Sequence, residues 1–235
     1  MTRSRSIAET RQKHNDGLTT LAGAGVDFTL PEGGNTGVYT TGWPLYRPDL
    51  ATVARHVDKG GNLGVHIRGY ADGWVLVAFD GDDAAGMAAL LAIAPELSDS
   101  LRSWRASGSG KALAWVHDPD GKLKNQSTPN LAGEHSKREL LTILQATIYG
   151  VHPSGQRYET NWLTPITLTV DQVRAIWETW AGQTWTEAKP ARVKVEPGKG
   201  YTRDDGGDVE RVKACLLYTS PSPRDRTRSR MPSSA

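Results

Sequence analysis

The run Trp74-Val-Leu-Val-Ala-Phe79 is apolar at every position and ends at once in Asp80-Gly-Asp82-Asp83. Asp72-Gly73 before it and Gly81 after it are turn chemistry, so the run reads as a strand buried on both faces. The Ala- and Leu-rich stretch after Asp83 reads as a helix capped by Asp82 or Asp83. A second helix is predicted over 50–57, where Leu50, Val53, Ala54 and Val57 share a face, with Asp49 as cap and Gly60-Gly61 as stop. Val173, Ile176, Trp177 and Trp180 fall at i, i+3, i+4 and i+7 and predict an amphipathic helix over 170–180, with Thr169 or Asp171 near its N-cap. Residues 6–22 are polar and helix-permissive, with Ile7, Leu18 and Leu21 as weak anchors.

Strands are expected at 26–30, half-exposed by its alternation, at 62–68, at 112–117, and over at least the second half of 139–149. Between them, 31–37, 106–111, 123–136 and 150–155 are loop or turn sequence, and two prolines hold 42–48 extended. Strands interleaved with helices and hairpins predict an α/β or α+β domain. From Trp185 onward Pro, Gly, Lys, Glu and Asp dominate, as in a linker.

Composition narrows this picture in three places. The single cysteine, Cys215, excludes a disulfide framework and a thiolate zinc site. No apolar stretch approaches the length of a bilayer span, and Met1-Thr-Arg-Ser-Arg5 is not followed by an apolar run, so neither a membrane nor a secretory signal is expected. Residues 215–235 read as the translation of a sequencing-library adapter, which makes them a non-native tail and places a truncation near Ala214. Removing this tail changes the formal charge from +2 to −1, because it carries four arginines against Asp225. The mild basicity of the chain is therefore no argument for nucleic-acid binding.

The candidate chemistry gathers at predicted strand ends. In extended chain, residues i and i+2 face the same side, so Asp80 and Asp82 can converge on one point, where hard oxygen ligands suit Mg²⁺ or Mn²⁺. The plainer reading is a strand end whose aspartate caps the next helix. Ser107-Gly-Ser109-Gly-Lys111 is small enough to let backbone N–H groups approach an anion, with the lysine adding charge, but its spacing is not that of a P-loop. The alternative is a solvated loop tip. Glu139 offers a third metal ligand or an exposed residue at an element start. His152, in a turn directly after a strand, is accompanied by Ser154 and Arg157, which could converge with it on phosphate oxygens.

The order of these motifs is informative. Gly60-Gly-Asn-Leu-Gly-Val65, Val75 to Phe79 with Asp80-x-Asp82, Ser107-Gly-Ser-Gly-Lys111, Glu139-Leu-Leu and Tyr149-Gly-Val-His152-Pro-Ser-Gly-x-x-Tyr158-Glu159 together resemble the bifunctional primase-polymerase family of the archaeo-eukaryotic primase superfamily. The resemblance covers residues 18–162. It implies an α+β fold with a mixed or antiparallel central sheet flanked by helices, a catalytic domain over 1–185, a truncated linker over 186–214 and a two-metal nucleotidyltransferase that makes or extends primers. On that reading Asp80, Asp82 and Glu139 hold Mg²⁺ or Mn²⁺. Ser107, Ser109 and Lys111 contact the triphosphate, and His152, Ser154 and Arg157 line the nucleotide pocket. Two departures stand out. Ala112 occupies a position where the family usually has histidine, and Asn35-Thr36-Gly37 lacks the family's Lys-x-Pro.

The implied partners are a DNA template, nucleoside triphosphates and a helicase or ATPase region beyond the truncated end. The implied setting is the cytoplasm of a bacterial host, with the gene carried by a phage or plasmid. Two other readings use the same residues. One is a metal-dependent nuclease. The other is a catalytically impaired primase-like module that binds single-stranded DNA or replication partners, for which Trp43 and Trp162 are the better candidates for an exposed stacking surface, with a structural role as the plainer reading of each. Trp74, Trp115, Trp177 and Trp180 sit in apolar patterns and are expected in the core.

Overall fold

The alternating side-chain directions of the central strand divide the molecule into two cores. In the computed structural model, which describes residues 7–31, 47–67, 69–130, 136–143 and 145–186, this strand is β3 (Trp74–Gly81). Leu76 and Ala78 point to one face, while Val77 and Phe79 point to the other, and all four are fully buried. A run of six apolar residues therefore serves two cores at once. All described residues belong to one unit spanning Met1–Pro190.

The described elements run α1 (Ile7–Gly23), β1 (Phe28–Thr29), α2 (Leu50–Asp58), β2 (Leu63–His66), β3, α3 (Ala84–Ile93), β4 (Arg102–Trp104), β5 (Gly110–His117), β6 (Gln126–Ser127), β7 (Arg138–Leu141), β8 (Gln145–Val151), β9 (Arg157–Thr160), β10 (Ile166–Leu168) and α4 (Val170–Ala181). This is an α+β domain. One curled sheet has the order β1-β2-β8-β9-β4-β5-β3-β7-β6. Neighbours along that path are antiparallel, and β10 adds a parallel contact to the far half of β5. No described helix is long and apolar enough to cross a membrane.

One core lies between the sheet and α3 and α4. It joins Val77, Phe79, Ala114, Leu140 and Leu90 to Trp177 and Trp180. Thr169 and Gln172 form a reciprocal capping box at the start of α4, and Gly182 ends the helix in the left-handed region at φ 65°. Asp83, not Asp82, caps α3, its Oδ1 accepting from the Gly86 N–H at 2.5 Å. Asp49 caps α2 by accepting from the Thr52 N–H at 2.7 Å. The other core packs Leu18 and Leu21 of α1 and Val53 and Val57 of α2 against Leu63, Val65, Leu76, Leu113 and Ile148.

Several elements differ from expectation. The stretch 139–149 is two strands rather than one: β7 pairs with β3 and β8 with β2, so the chain leaves one part of the sheet for another near Thr142–Ile143. The strand expected at 26–30 is only two residues long, and it is buried rather than half-exposed, because Gly64 lets Thr29 approach closely. The tryptophans also rearrange. Trp177 and Trp180 are core, but Trp74 is 37% exposed. Trp162, a candidate for exposed surface, takes the structural role instead: it is 7% exposed and lies against Gly17, where a Cβ would come within 2.6 Å of the indole. Trp43, the 32–46 segment, the linker and the 215–235 tail lie outside the described residues.

Candidate functional site

Antiparallel register brings the first site residues together. Asp80 on β3 lies directly opposite Lys111 on β5 and directly opposite Glu139 on β7. Directly paired residues of antiparallel strands share a face with Cβ atoms about 4.5–5.5 Å apart, so the three form a row Glu139–Asp80–Lys111. The row continues on both sides. Ser127 pairs with Glu139, Ser103 with Lys111 and Thr160 with Ser103. Six adjacent strands thus carry a polar residue at one level. Ser103 and Thr160 are buried and serve the fold, their hydroxyls donating to the carbonyls of Thr147 at 3.4 Å and Ile148 at 2.6 Å. Ser127 is exposed and donates to Glu139 Oε1 at 3.0 Å. Between these two ends lie Asp80 and Lys111, both largely buried.

Lys111 Nζ stands 2.9 Å from Asp80 Oδ2, and both side chains are 15% exposed. Burial alone would push the ammonium pKa down. The Asp80 carboxylate, with help from Tyr158, outweighs burial and holds it above its ordinary value, against opposition from Arg105. Asp82 continues the ladder with an N–H donated to Lys137 O at 3.1 Å, and the chain then turns into α3. No group of three or more His, Cys, Asp or Glu side chains able to hold a metal ion occurs among the described residues. The structure therefore sets Asp80 beside Glu139 without gathering Asp80, Asp82 and Glu139 into one cluster. Two adjacent carboxylates still fit Mg²⁺, which is commonly held by one or two carboxylates together with substrate phosphates.

Two loops close on the same end of the sheet. The 107–109 loop packs on the start of α3, where a Cβ on Gly108 would meet that of Ala84 at 2.3 Å; its φ of +83° also favours glycine. The Ser107 N–H donates to Gln156 Oε1 at 3.2 Å, tying this loop to the β8–β9 hairpin. The Gly108 N–H donates to Arg105 O at 2.8 Å. These two amides, expected from sequence to face an anion, are thus already engaged. Ser107 and Ser109 hydroxyls lie 3.1 Å apart, and Ser109 is 1% exposed.

In the hairpin, the His152 ring meets Tyr158 edge-on at 5.9 Å. Its Nδ1 accepts the Ser154 N–H at 3.1 Å and lies 2.8 Å from Ser154 Oγ. A backbone N–H can only donate, so Nδ1 carries no proton and the neutral ring presents Nε2–H. Burial, then the charges of Arg105 and Lys111, lower the His152 pKa and keep the ring neutral near pH 7. Asn62 fixes the hairpin's root. Its side chain both accepts from the Val151 N–H at 2.7 Å and donates to Val151 O at 2.9 Å.

Arg157 faces elsewhere. Along β9 Tyr158 and Thr160 are buried, while Arg157 and Glu159 are exposed on the opposite side. Arg157 is close enough to His14 of α1 to lower that histidine's pKa, after burial and Lys13. Arg105 stands where Arg157 was expected. Its guanidinium lies 5.7 Å from the Tyr158 ring centroid, and its charge reaches both Lys111 and His152. It makes no ion pair among the described residues. The cue in the sequence is a cation directly before the Ala106-Ser-Gly-Ser-Gly110 loop.

Asp80 and Glu139 therefore make an acidic side, and Lys111, Arg105 and neutral His152 a donor-rich side, at one end of the sheet. Such an arrangement suits a ligand that is itself anionic and bound with a cation. No protein-family model matches the chain, and no curated protein matches it.

Proposed function

We propose that this protein is a nucleotidyltransferase of the primase-polymerase type, using the polar row at the end of β3 to bind a nucleoside triphosphate and add its nucleotide to a nucleic-acid strand. The observation that carries this reading is the register that puts Asp80 between Glu139 and Lys111 on one face. The motif order of the sequence gives the reading its direction, and the α+β sheet with flanking helices is compatible with it.

On this reading the 3′-oxygen of a primer, or of a second nucleotide, attacks the α-phosphorus of the bound triphosphate. The α–β bridging bond breaks and pyrophosphate leaves. Asp80 and Glu139 are the groups that would hold Mg²⁺ or Mn²⁺, which when bound neutralises phosphate charge and lowers the pKa of the attacking hydroxyl. Lys111 and Arg105 attract the phosphates, and His152 donates its Nε2–H to an oxygen without adding charge. Asn62 and Gln156 hold the hairpin and the 107–109 loop in place around them. A DNA template and a phage or plasmid setting belong to this proposal.

A template-dependent incorporation assay with Mg²⁺ or Mn²⁺, with and without primer, tests it. Glu139→Gln is the informative variant, because it keeps the side chain's shape and an acceptor for Ser127. Incorporation should fall by at least 100-fold with no loss of thermal stability. Undiminished incorporation would remove Glu139 from the site. Triphosphate-independent strand cleavage by the unmodified protein would favour a nuclease instead. The impaired-module reading has one observation in its favour: Asp80 is occupied by an ammonium rather than left open.

A further inference from the structure

The Lys111–Asp80 ion pair raises a question of occupancy. An ammonium at 2.9 Å from Asp80 Oδ2 holds the position that a cation on that oxygen would need. We infer that Lys111 acts as an internal latch: the Asp80–Glu139 pair accepts a divalent cation well only when a polyphosphate ligand draws the Lys111 ammonium away. This inference rests on the proposed nucleotide site and concerns the order in which its ligands bind.

A monovalent ammonium and a divalent cation repel strongly at contact distance, so one carboxylate oxygen does not serve both. The backbone of Lys111 is fixed in register with Asp80, but the four-carbon stem allows the ammonium to swing. What it would swing towards decides the matter. The other groups acting on it are Tyr158, which is buried, and Arg105, which repels it. His152, on the same side, is neutral. Among the described residues Asp80 is thus the only carboxylate acting on Lys111, and without a ligand the latch stays shut. A triphosphate lying against Arg105 and His152 supplies the missing anion. It takes Lys111, frees Asp80 and adds its own oxygens to the cation's shell. Cation and polyphosphate should therefore bind with positive coupling, each strengthening the other by the same factor.

The test is Mn²⁺ binding to the full chain, followed by electron paramagnetic resonance of free Mn²⁺ and corrected for the Mn²⁺–nucleotide complex. It uses the wild type, Lys111→Met and Lys111→Gln, each with and without an α,β-methylene nucleoside triphosphate. The Gln variant keeps a hydrogen-bond donor for Asp80 should the Met variant fail to fold. The wild type alone should bind Mn²⁺ weakly, and the triphosphate should tighten binding at least tenfold. A folded Lys111 variant should gain at least tenfold without nucleotide and gain little more with it. If wild type and variant bind Mn²⁺ equally without nucleotide, while the triphosphate still tightens the wild type, the latch is overturned and the nucleotide site survives. If neither binds Mn²⁺ under any condition, the nucleotide-site proposal fails as well.

Discussion

Replacing Asp80 by Asn should cost about 3 kcal/mol of folding stability, because it leaves the Lys111 ammonium largely buried without its counter-charge. The companion Lys111→Met should cost a similar amount by stranding Asp80. The double variant Asp80→Asn/Lys111→Met should lose only about 1 kcal/mol, since a neutral pair of similar volume removes both penalties. Urea denaturation of the four proteins measures this cycle directly. A single Asp80→Asn variant within 0.5 kcal/mol of the wild type (about the reach of an ordinary surface change) would mean that the pair is solvated and carries no structural role. The prediction also bears on function. An inactive Asp80→Asn protein is informative only if its folded fraction is measured, whereas Glu139→Gln has no such ambiguity.

Trp180→Ala should have a still larger effect, about 4 kcal/mol, with no direct effect on the site. The indole is 1% exposed and meets Phe79 and Trp177 edge-on, each at 6.1 Å between centroids. Its Nε1–H donates to Gly86 O at 2.7 Å, and the Arg138 guanidinium lies 5.9 Å from the ring centroid. Truncation therefore removes packing, a hydrogen bond from α4 to α3 and a cation–π contact together. Phe79 faces away from Asp80 across β3, so nucleotide affinity of the folded fraction should stay unchanged. A loss below 1 kcal/mol would show that α4 is not integral to this core.

The same two residues show what the sequence discloses. Trp180 is legible because helical spacing with Val173, Ile176 and Trp177 is a local signal, and Thr169 marks the start. The β3 run, its continuation into a capped helix and the β5 segment are legible for similar reasons. Asp80's contact with Lys111 is not. It depends on the register between strands about thirty residues apart, and a shift of one residue would send Lys111 to the other face. Strands β4, β6, β9 and β10 are short and lack an apolar run, so pairing alone defines them. The apolar stretch 139–149 hides its own break, because both halves are β-permissive and only their partners differ. Arg157 and Arg105 exchange roles for a simple reason: alternation along β9 turns one outward, while a loop anchored on Gln156 and Ala84 brings the other in.

The central claim is that Glu139, Asp80 and Lys111 form one ligand site with Arg105 and His152. A crystal structure with Mn²⁺ and an α,β-methylene nucleoside triphosphate tests it most directly, since anomalous scattering locates the ion without assumption. The account predicts a Mn²⁺ peak bridging Asp80 and Glu139, phosphate density against Arg105 and His152, and Lys111 turned from Asp80 to the phosphates. Mn²⁺ or triphosphate bound elsewhere, with the Lys111–Asp80 pair intact, would contradict it.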